Sequence, residues 1–402
     1  MYQRLTVSKG QDAGCSFLPL VFCFLLLVSC LIPLASCAPL SVRPTVKIGL
    51  VAPFEGRYRY IGYDVIYAVR LALREANAAG GVGGYSVELV AYDDGADPAM
   101  AVEQARKLAA DPAVVAAIGH FREETTAAAL NVYAEASIPM VAPVVLAPAL
   151  TRGETEVYRL APPAERVAGA LLQRLDELEQ VQVALVTADG PLGAALQQLA
   201  QSHRVQVWPV VSPEKTGWLE EIMASGVDAV LCDADPVTAG ETISALRTAG
   251  WEGIFLGGPE LAASDFSAVA DVAASGVVFV TPYPFPSDGE TGFLPLRLQK
   301  NQVSGKRTDF TTAYRAVSNG VPPGPLALPA YEATWVLLEA LERDIAARGE
   351  PTRDGMAAAL SVTKREGGLG SITFDAARGW NDAPLYWYRI DTEGTARLIV
   401  GE

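Results

Sequence analysis

Histidine and cysteine are scarce in this chain of 402 residues, which contains 2 histidines and 5 cysteines. Four of the cysteines lie within the first 37 residues, so Cys232 alone remains beyond them and that part of the chain can form no internal disulfide. With so few histidines and cysteines, the chain also has few of the residues that usually bind zinc. Lysine and arginine number 31 against 46 aspartates and glutamates, a net charge of −15. We expect no nucleic-acid partner, because binding phosphates needs a basic surface.

Sequence motifs for nucleotide binding and nucleophilic catalysis are also missing. The glycine cluster at 80–84 follows a predicted helix and precedes a predicted strand, the reverse of a dinucleotide-binding loop. Neither a G-x-x-x-x-G-K-[ST] phosphate loop nor a G-x-S-x-G nucleophile elbow occurs. Cys232 ends a predicted strand and is interpreted as a small buried residue rather than a nucleophile. The sequence therefore predicts no enzyme, no cofactor and no metal site.

Apolar residues make up 50% of the chain, and they are arranged in an alternating pattern. A short β-branched run at 46–52 precedes a helical pattern over 63–79. The alternation continues to about residue 160, restarts near residue 181 and reaches residue 256. Helices of this length between buried strands predict parallel sheets that are covered on both faces. The predicted fold class is α/β, with two doubly wound parallel-sheet lobes.

The last third of the chain changes character at a proline-rich segment, 281–286. Helices are predicted after it, followed by two segments that alternate like antiparallel strands. This part is too small for a core of its own, so we expect it to complete the two lobes. The predicted helices are 310–319, 329–348 and 352–361, and the predicted strands are 370–375 and 385–390.

The first residues have the pattern of an export signal. Arg4 and Lys9 precede an apolar run that ends in Leu-Ala-Ser directly before Cys37. This resembles a bacterial lipobox, so 1–36 is predicted to be a lipoprotein signal peptide and Cys37 the lipid-attachment residue. Cys30 also fits the pattern, and an uncleaved anchor or a secreted form is the alternative. We expect an exported protein, lipid-anchored to the outer face of the cytoplasmic membrane.

Three segments resemble a known family. Residues 46–56, 68–84 and 93–98 are similar to type 1 periplasmic binding proteins, in the leucine/isoleucine/valine-binding (branched-chain amino-acid) branch of ABC-transporter receptors. The resemblance covers roughly 44–402. It implies a monomer whose two lobes are joined by three chain crossings, with a small-molecule solute bound in the cleft between the lobes. It also implies an ABC permease as the partner in the membrane.

The resemblance further implies a division of the chain. Lobe 1 comprises 44–160 completed by 285–370, and lobe 2 comprises 161–284 completed by 371–402. Closure of the lobes about the hinge would capture the solute by a shift of population, without chemistry. The chain crossings are expected near 160–162, 282–284 and 373–375.

In such receptors the loop after Gly119 faces the ligand. Here that loop contains Arg122, Glu123 and Thr125, and Glu123 stands where the family has a serine that meets the ligand carboxylate. One interpretation is that these three residues face the cleft and define a different ligand. The alternative is that the glutamates only complement the helix dipole on the surface. His120, in the same loop, either contacts ligand or caps the loop.

The remaining expected contacts also depart from the family. Val144 can still offer backbone groups, but Leu146 replaces a threonine and Leu192 replaces a tyrosine. Asp235 stands at an aromatic position, and Glu260 lies one residue beyond the expected acidic residue. Together with Glu123, these two acids suggest a cationic or polyhydroxylated ligand rather than leucine.

The loop at 54–62 is rich in arginine and tyrosine, which are frequent in recognition sites. Tyr58 or Tyr60 is predicted to contact the ligand, and a solvated rim is the alternative. The six tryptophans, Trp208 among them, are predicted to pack in the core or the hinge.

The function predicted from the sequence is that of an extracytoplasmic receptor for an ABC importer, which captures a small polar solute such as an amino acid or a related compound. The alternative is a ligand-sensing module that signals to a membrane kinase or regulator. The same lobe closure serves both functions, so the sequence does not separate them.

Overall fold

Mostly buried, apolar strands form the first sheet. The computed structural model describes residues 43–153, 156–179, 182–284 and 310–399. Within them, the first five strands pair in parallel in the order β2-β1-β3-β4-β5. These strands are β1 (Thr45–Ala52), β2 (Ser86–Asp93), β3 (Val114–Ile118), β4 (Met140–Ala142) and β5 (Val157–Arg159).

Three helices connect these strands. They are α1 (Arg59–Ala78), α2 (Pro98–Ala110) and α3 (Glu123–Glu135). Asp97 caps α2 by accepting a hydrogen bond from the backbone of Met100, with Pro98 at the first helical position. Helix α1 begins four residues earlier than the pattern predicts, because its first turn carries polar residues of the arginine- and tyrosine-rich loop.

The second sheet begins with the same alternation of strands and helices. Its parallel strands β6, β8, β9 and β10 lie side by side, and β7 pairs with β6 at the edge. The elements are α4 (Ala164–Glu177), β6 (Gln182–Thr187), α5 (Pro191–Ala200), β7 (Gln206–Val211), α6 (Trp218–Ser225), β8 (Ala229–Asp233), α7 (Pro236–Thr248), β9 (Ile254–Gly257), α8 (Ser264–Ala270) and β10 (Val278–Thr281).

The last part of the chain divides between the two sheets. Its helices α9 (Phe310–Val317), α10 (Ala327–Arg348) and α11 (Arg353–Leu360) contribute to the core around the first sheet. The pair β11 (Arg365–Gly367) and β12 (Gly370–Ile372) is antiparallel. Strand β13 (Tyr386–Ile390) runs antiparallel to β10 and carries β14 (Ala396–Leu398) on its other side. The second sheet therefore has seven strands.

Each sheet is covered on both faces, as the sequence predicts. The side chains of β1 alternate between two cores: Ile48 and Leu50 pack with α1 and α10, whereas Val51 packs with α2 and α3. The second sheet likewise separates two cores. The fold class predicted from the sequence is confirmed: the described residues from 44 onward belong to one compact unit and form two α/β lobes, one around an all-parallel sheet and one around a mostly parallel sheet.

Two single residues test the predictions about buried side chains. Cys232 is buried with a free thiol, as predicted, and burial raises its pKa. The prediction for Trp208 is wrong, because its side chain is 66% exposed. It lies on edge strand β7, where side chains alternate between the two faces, and Gln206, Trp208 and Val210 are all on the exposed face. No helix in the part of the chain that is described is both long and apolar enough to cross a bilayer.

Candidate functional site

The carboxyl ends of the parallel strands carry the loops that the sequence singles out. In doubly wound sheets, ligands bind outside these ends. Loops that follow β1 and β3 of the first sheet meet loops that follow β8 and β9 of the second. Six side chains from these loops form what we call the cleft cluster. They are Arg57, Tyr58, Tyr60, Arg122, Asp235 and Glu260.

Arg57 and Asp235 form an ionic contact between the two sheets. Arg57 Nη2 lies 2.8 Å from Asp235 Oδ1 and 3.0 Å from Oδ2, and Nε lies 3.0 Å from Oδ1. Asp235 also caps helix α7, because its Oδ1 accepts hydrogen bonds from the backbone N–H groups of Val237 and Thr238. Burial acts to raise the pKa of Asp235, but hydrogen bonds from Thr238 and Arg57 outweigh it and leave that pKa below its usual value.

Tyr60 and Glu260 form a second contact between the sheets. The Tyr60 hydroxyl donates to Glu260 Oε2 at 3.3 Å. The Glu260 residue is exposed, and its carboxyl group is partly enclosed between Tyr60 and Arg122 of the first sheet and Asp233 and Asp235 of the second. That enclosure raises its pKa, and the nearby Arg122 charge opposes the increase. The same enclosure raises the pKa of Tyr60 well above its usual value.

Arg122 stacks on an aromatic ring. Its guanidinium carbon lies 3.9 Å from the centre of the Tyr58 ring, a cation–π geometry. A long ion pair of 3.5 Å joins its Nε to Glu124. Arg122 also interacts electrostatically with Glu260 across the cluster. Arg57 uses two of its three nitrogens on Asp235, whereas Arg122 uses one on Glu124, so Arg122 has more donors left for a ligand.

Glu123 makes its contacts within the first sheet. Its Oε1 accepts hydrogen bonds from the backbone N–H of Leu146 at 2.5 Å and of Ala147 at 3.2 Å. Burial raises the pKa of Glu123 to about 7, against the opposing effect of these hydrogen bonds. Thr125 is buried, and its hydroxyl donates to the carbonyl of Arg122 at 3.2 Å. This hydrogen bond lies in the first turn of α3, so Thr125 stabilises the loop where it enters that helix.

The three apolar residues that the sequence predicts as ligand contacts are partly or fully buried in the cores. Val144 and Leu146 are partly buried, Val144 against the core of the first sheet and Leu146 against a core of the second. Leu192 is buried, and its side chain lies directly behind Gly258, where a Cβ would meet Leu192 Cδ2 at 2.6 Å. Leu192 thus supports the loop that carries Glu260.

His120 belongs to a buried hydrogen-bond chain beneath the loop. Its Nδ1 lies 2.7 Å from Asp94 Oδ2, and its Nε2 lies 3.2 Å from the Tyr133 hydroxyl. His120 and Asp94 have no exposed surface. Of the two interpretations the sequence allows, the structure supports a histidine that orders the loop.

Asp233, at the end of β8, is a partly buried acid that the sequence reasoning does not identify. Its Oδ2 accepts hydrogen bonds from the backbone N–H of Gly193 at 2.7 Å and from the Thr187 hydroxyl at 3.3 Å. A Cβ at Gly193 would meet Thr187 Oγ1 at 2.2 Å and Asp233 Oδ2 at 2.8 Å, so this close approach requires glycine. The acid fixes the loop that begins α5 against β8.

The chain segments that join the two sheets are held by a tyrosine. The Tyr283 hydroxyl bonds to the carbonyl oxygens of Pro143 at 2.5 Å and of Leu160 at 3.0 Å. One hydroxyl therefore contacts the chain after β4 and after β5. Nearby Arg159 is buried, and its Nη1 donates to the carbonyl of Ala161 at 2.7 Å.

The structure thus separates the predicted site residues into two groups. Tyr58, Tyr60, Arg122, Asp235 and Glu260 lie together in the cleft cluster, whereas the other candidates support the surrounding loops. Arg57 is the member that the prediction omits. Arg57 belongs to the arginine- and tyrosine-rich loop that the sequence indicates as a recognition site. Its ionic partner, Asp235, lies 178 residues away in sequence, so the pair could not be predicted. The lipid-attachment candidate Cys37 lies outside the described residues.

Comparisons with known proteins agree with this architecture. Residues 45–395 match the periplasmic binding protein family. A curated relative, the leucine-, isoleucine-, valine-, threonine-, and alanine-binding protein of Pseudomonas aeruginosa, is 25% identical over 82% of this chain and 86% of its own length.

Solved structures show the same fold. The leucine-binding protein LivK of Thermotoga maritima has a TM-score of 0.75 at 22% identity, covering 88% of this chain and 98% of its own. The substrate-binding protein LivJ of Streptococcus pneumoniae, in complex with isoleucine, has a TM-score of 0.75 at 22% identity, covering 88% and 99%. The sequence resemblance is confirmed, and the chain belongs to the type 1 periplasmic binding proteins, in the family that includes the Leu/Ile/Val-binding proteins.

Proposed function

We propose that this protein is an extracytoplasmic solute-binding receptor of an ABC importer, which captures an amino acid or a related small polar solute. One observation carries the proposal: loops from two separate sheets meet through Arg57–Asp235 and Tyr60–Glu260. Side chains that bridge two lobes are suited to report occupancy, because a solute between them contacts both lobes at once. The names of the relatives support the class of solute.

Capture by closure requires two bodies that move about a hinge. We propose lobe 1 as 44–160 completed by 285–370, and lobe 2 as 161–284 completed by 371–402. The core memberships suggest one adjustment: Trp380 and Ala383 pack with the first sheet, whereas β13 pairs with β10 of the second. We therefore set the third chain crossing between residues 383 and 386 rather than at 373–375.

The charges of the cleft cluster support a ligand with both signs of charge. Arg57 compensates Asp235, and backbone N–H groups bind the Glu123 carboxylate, so the negative charge available to a ligand is smaller than the sequence suggests. Arg122 and Glu260 remain, each with hydrogen-bonding capacity to spare. We propose that Arg122 receives the carboxylate of an amino-acid-like solute and Glu260 its ammonium group, with Tyr58 and Tyr60 as the aromatic wall.

Calorimetry against matched solutes tests this proposal. The panel contains amino acids, their amides, polyamines and sugars, added to the exported part of the chain. We expect binding of at least one amino acid, with weaker binding of its amide, because the amide lacks the charge that Arg122 would pair. Binding of polyamines or sugars alone would refute the amino-acid assignment. An absence of binding throughout the panel would refute the proposal that the protein is a receptor for amino acids or related small polar solutes.

The proposal includes export and a membrane partner. We propose that Cys37 carries the lipid anchor and that the closed receptor delivers its solute to an ABC permease. Mass spectrometry of the N-terminal peptide, with Cys37→Ser and Cys30→Ser as a matched pair, distinguishes the two candidate sites. A lipid lost in Cys30→Ser and kept in Cys37→Ser would overturn the assignment.

A further inference from the structure

Glu123 directs its carboxylate away from its own helix. It is the first residue of helix α3, and its carboxylate reaches across to the chain after β4. There it accepts the N–H of Leu146 at 2.5 Å and the N–H of Ala147 at 3.2 Å. Its second oxygen lies 3.4 Å from Ala147 N. Two adjacent backbone N–H groups that converge on one acid form a small anion-binding position.

This position lies where the two lobes meet. Strands β3 and β4 are neighbours in a parallel sheet, so the loops after them share its carboxyl edge. The carbonyl oxygen of Leu146 accepts a hydrogen bond from the backbone N–H of Ala164 at 3.0 Å, at the start of α4. The Leu146 side chain packs against a core of the second sheet. The two N–H donors therefore lie at the junction of the two lobes, next to the loop that carries Arg122 of the cleft cluster.

We infer that Glu123 fills this anion-binding position with its own carboxylate, and that it thereby excludes a ligand carboxylate from the N–H groups of Leu146 and Ala147. Glu123 is then a specificity-determining residue. The inference rests on the proposed function, because it concerns which part of an amino-acid-like solute faces which loop. The solute's carboxylate is left to the donors of Arg122.

The energetic balance supports a role other than stability. Burial raises the pKa of Glu123 to about 7, Glu124 adds to the increase, and the two backbone donors and Arg159 oppose it. The carboxylate is therefore disfavoured in the folded protein at neutral pH relative to a solvated one. A serine or alanine at this position would avoid that cost and leave the two N–H groups open to solvent or ligand.

Chemical rescue by acetate tests the inference with a defined probe. Glu123→Ala is titrated with acetate at pH 8, and with acetamide at the same ionic strength as the neutral control. The readout is the amide NMR signals of Leu146 and Ala147. We expect acetate to move both signals saturably toward their positions in the unaltered protein, and acetamide to move them several-fold less. Glu123→Gln is the matched control, since its carbonyl oxygen still covers the donors and should suppress the acetate response.

An acetate response no larger than that of acetamide, or one equally large in Glu123→Gln, would overturn the inference. If the alanine variant does not fold, the same acetate titration is made on Glu123→Ser. Amide hydrogen exchange of the unaltered protein supplies an independent check, because fast exchange at both Leu146 and Ala147 would show that no acceptor covers them. Acetate binds the variant irrespective of the natural solute. Rescue without any solute binding would thus refute the proposed function alone, and solute binding without rescue would refute this inference alone.

Discussion

Replacing Arg57 by alanine removes the ionic contact between the two lobes, and we expect it to shift the protein toward an open form. The contact has three short nitrogen–oxygen distances, 2.8, 3.0 and 3.0 Å, which is good geometry for an arginine–carboxylate pair. The Asp235 side chain is 14% exposed, but that of Arg57 is 45% exposed. Solvent therefore screens the pair and reduces its contribution.

The magnitude follows from that exposure. Exposed ion pairs contribute about 0.2–1 kcal/mol, and the short distances set this one near the upper end, at about 1 kcal/mol. Such a change lowers the ratio of closed to open molecules about fivefold. The ratio is measured without ligand by single-molecule energy transfer between dyes on one exposed engineered cysteine in each lobe. Cys232 is buried and should not take up dye.

Four controls make the measurement specific. Arg106→Ala removes an exposed arginine on α2 and should leave the ratio unchanged. Asp235→Asn keeps an oxygen for the helix cap but loses the charge, so it should match Arg57→Ala, and the double variant should add little to either. About 1 M salt should lower the ratio of the unaltered protein far more than that of Arg57→Ala. A ratio in Arg57→Ala equal to that of Arg106→Ala at low salt would refute the reasoning.

Three further predictions concern the loop after β3. Arg122→Gln keeps a planar group over Tyr58 but loses the charge, so the Kd for an amino acid that binds the unaltered protein should rise about 10–100-fold by calorimetry; an unchanged Kd would contradict the assigned role. The folded pKa of Glu123, about 7, lies above its usual value. The unaltered protein should therefore lose stability relative to Glu123→Gln as pH rises from about 4.5 to 7, by up to about 3 kcal/mol in urea unfolding. A difference in unfolding free energy that stays constant over this pH range would contradict the raised pKa of Glu123. His120→Ala leaves buried Asp94 with the Ala96 N–H but without its side-chain partner, and it should lower the free energy of unfolding by about 3 kcal/mol, whereas a loss below about 1 kcal/mol would show that the chain of hydrogen bonds contributes little.

The structure changes how the acidic residues of the site are interpreted. From the sequence, Glu123, Asp235 and Glu260 suggest a cleft with excess negative charge. In the fold, Asp235 pairs with Arg57 and Glu123 turns to backbone N–H groups. Glu260 alone of these acids keeps capacity for a ligand, hydrogen-bonded to a tyrosine and close to Arg122. The proposed ligand accordingly changes from a cationic or polyhydroxylated compound to a solute with both charges.

Local pattern alone determines much of this protein. The buried run of β1 and the apolar stripe of α1 can be identified from neighbouring residues, because period and capping are short-range properties of the chain. The same holds for the glycine-rich turn at 80–84 and for the proline that opens α7. Repetition of such units is sufficient to predict two parallel sheets.

The tertiary structure alone decides what each charged side chain does. Asp235 meets Arg57 from 178 residues away, and Glu123 reaches a loop that follows the neighbouring strand. Exposure of Trp208 likewise depends on the position of its strand at the edge of the second sheet. The hydrogen-bond partner of a long polar side chain depends on which distant loop the fold brings within about 3 Å, and no local pattern encodes that distance. The sequence by itself therefore determined the fold and the family, and the packing of loops from two sheets decided which residues remain available to a ligand.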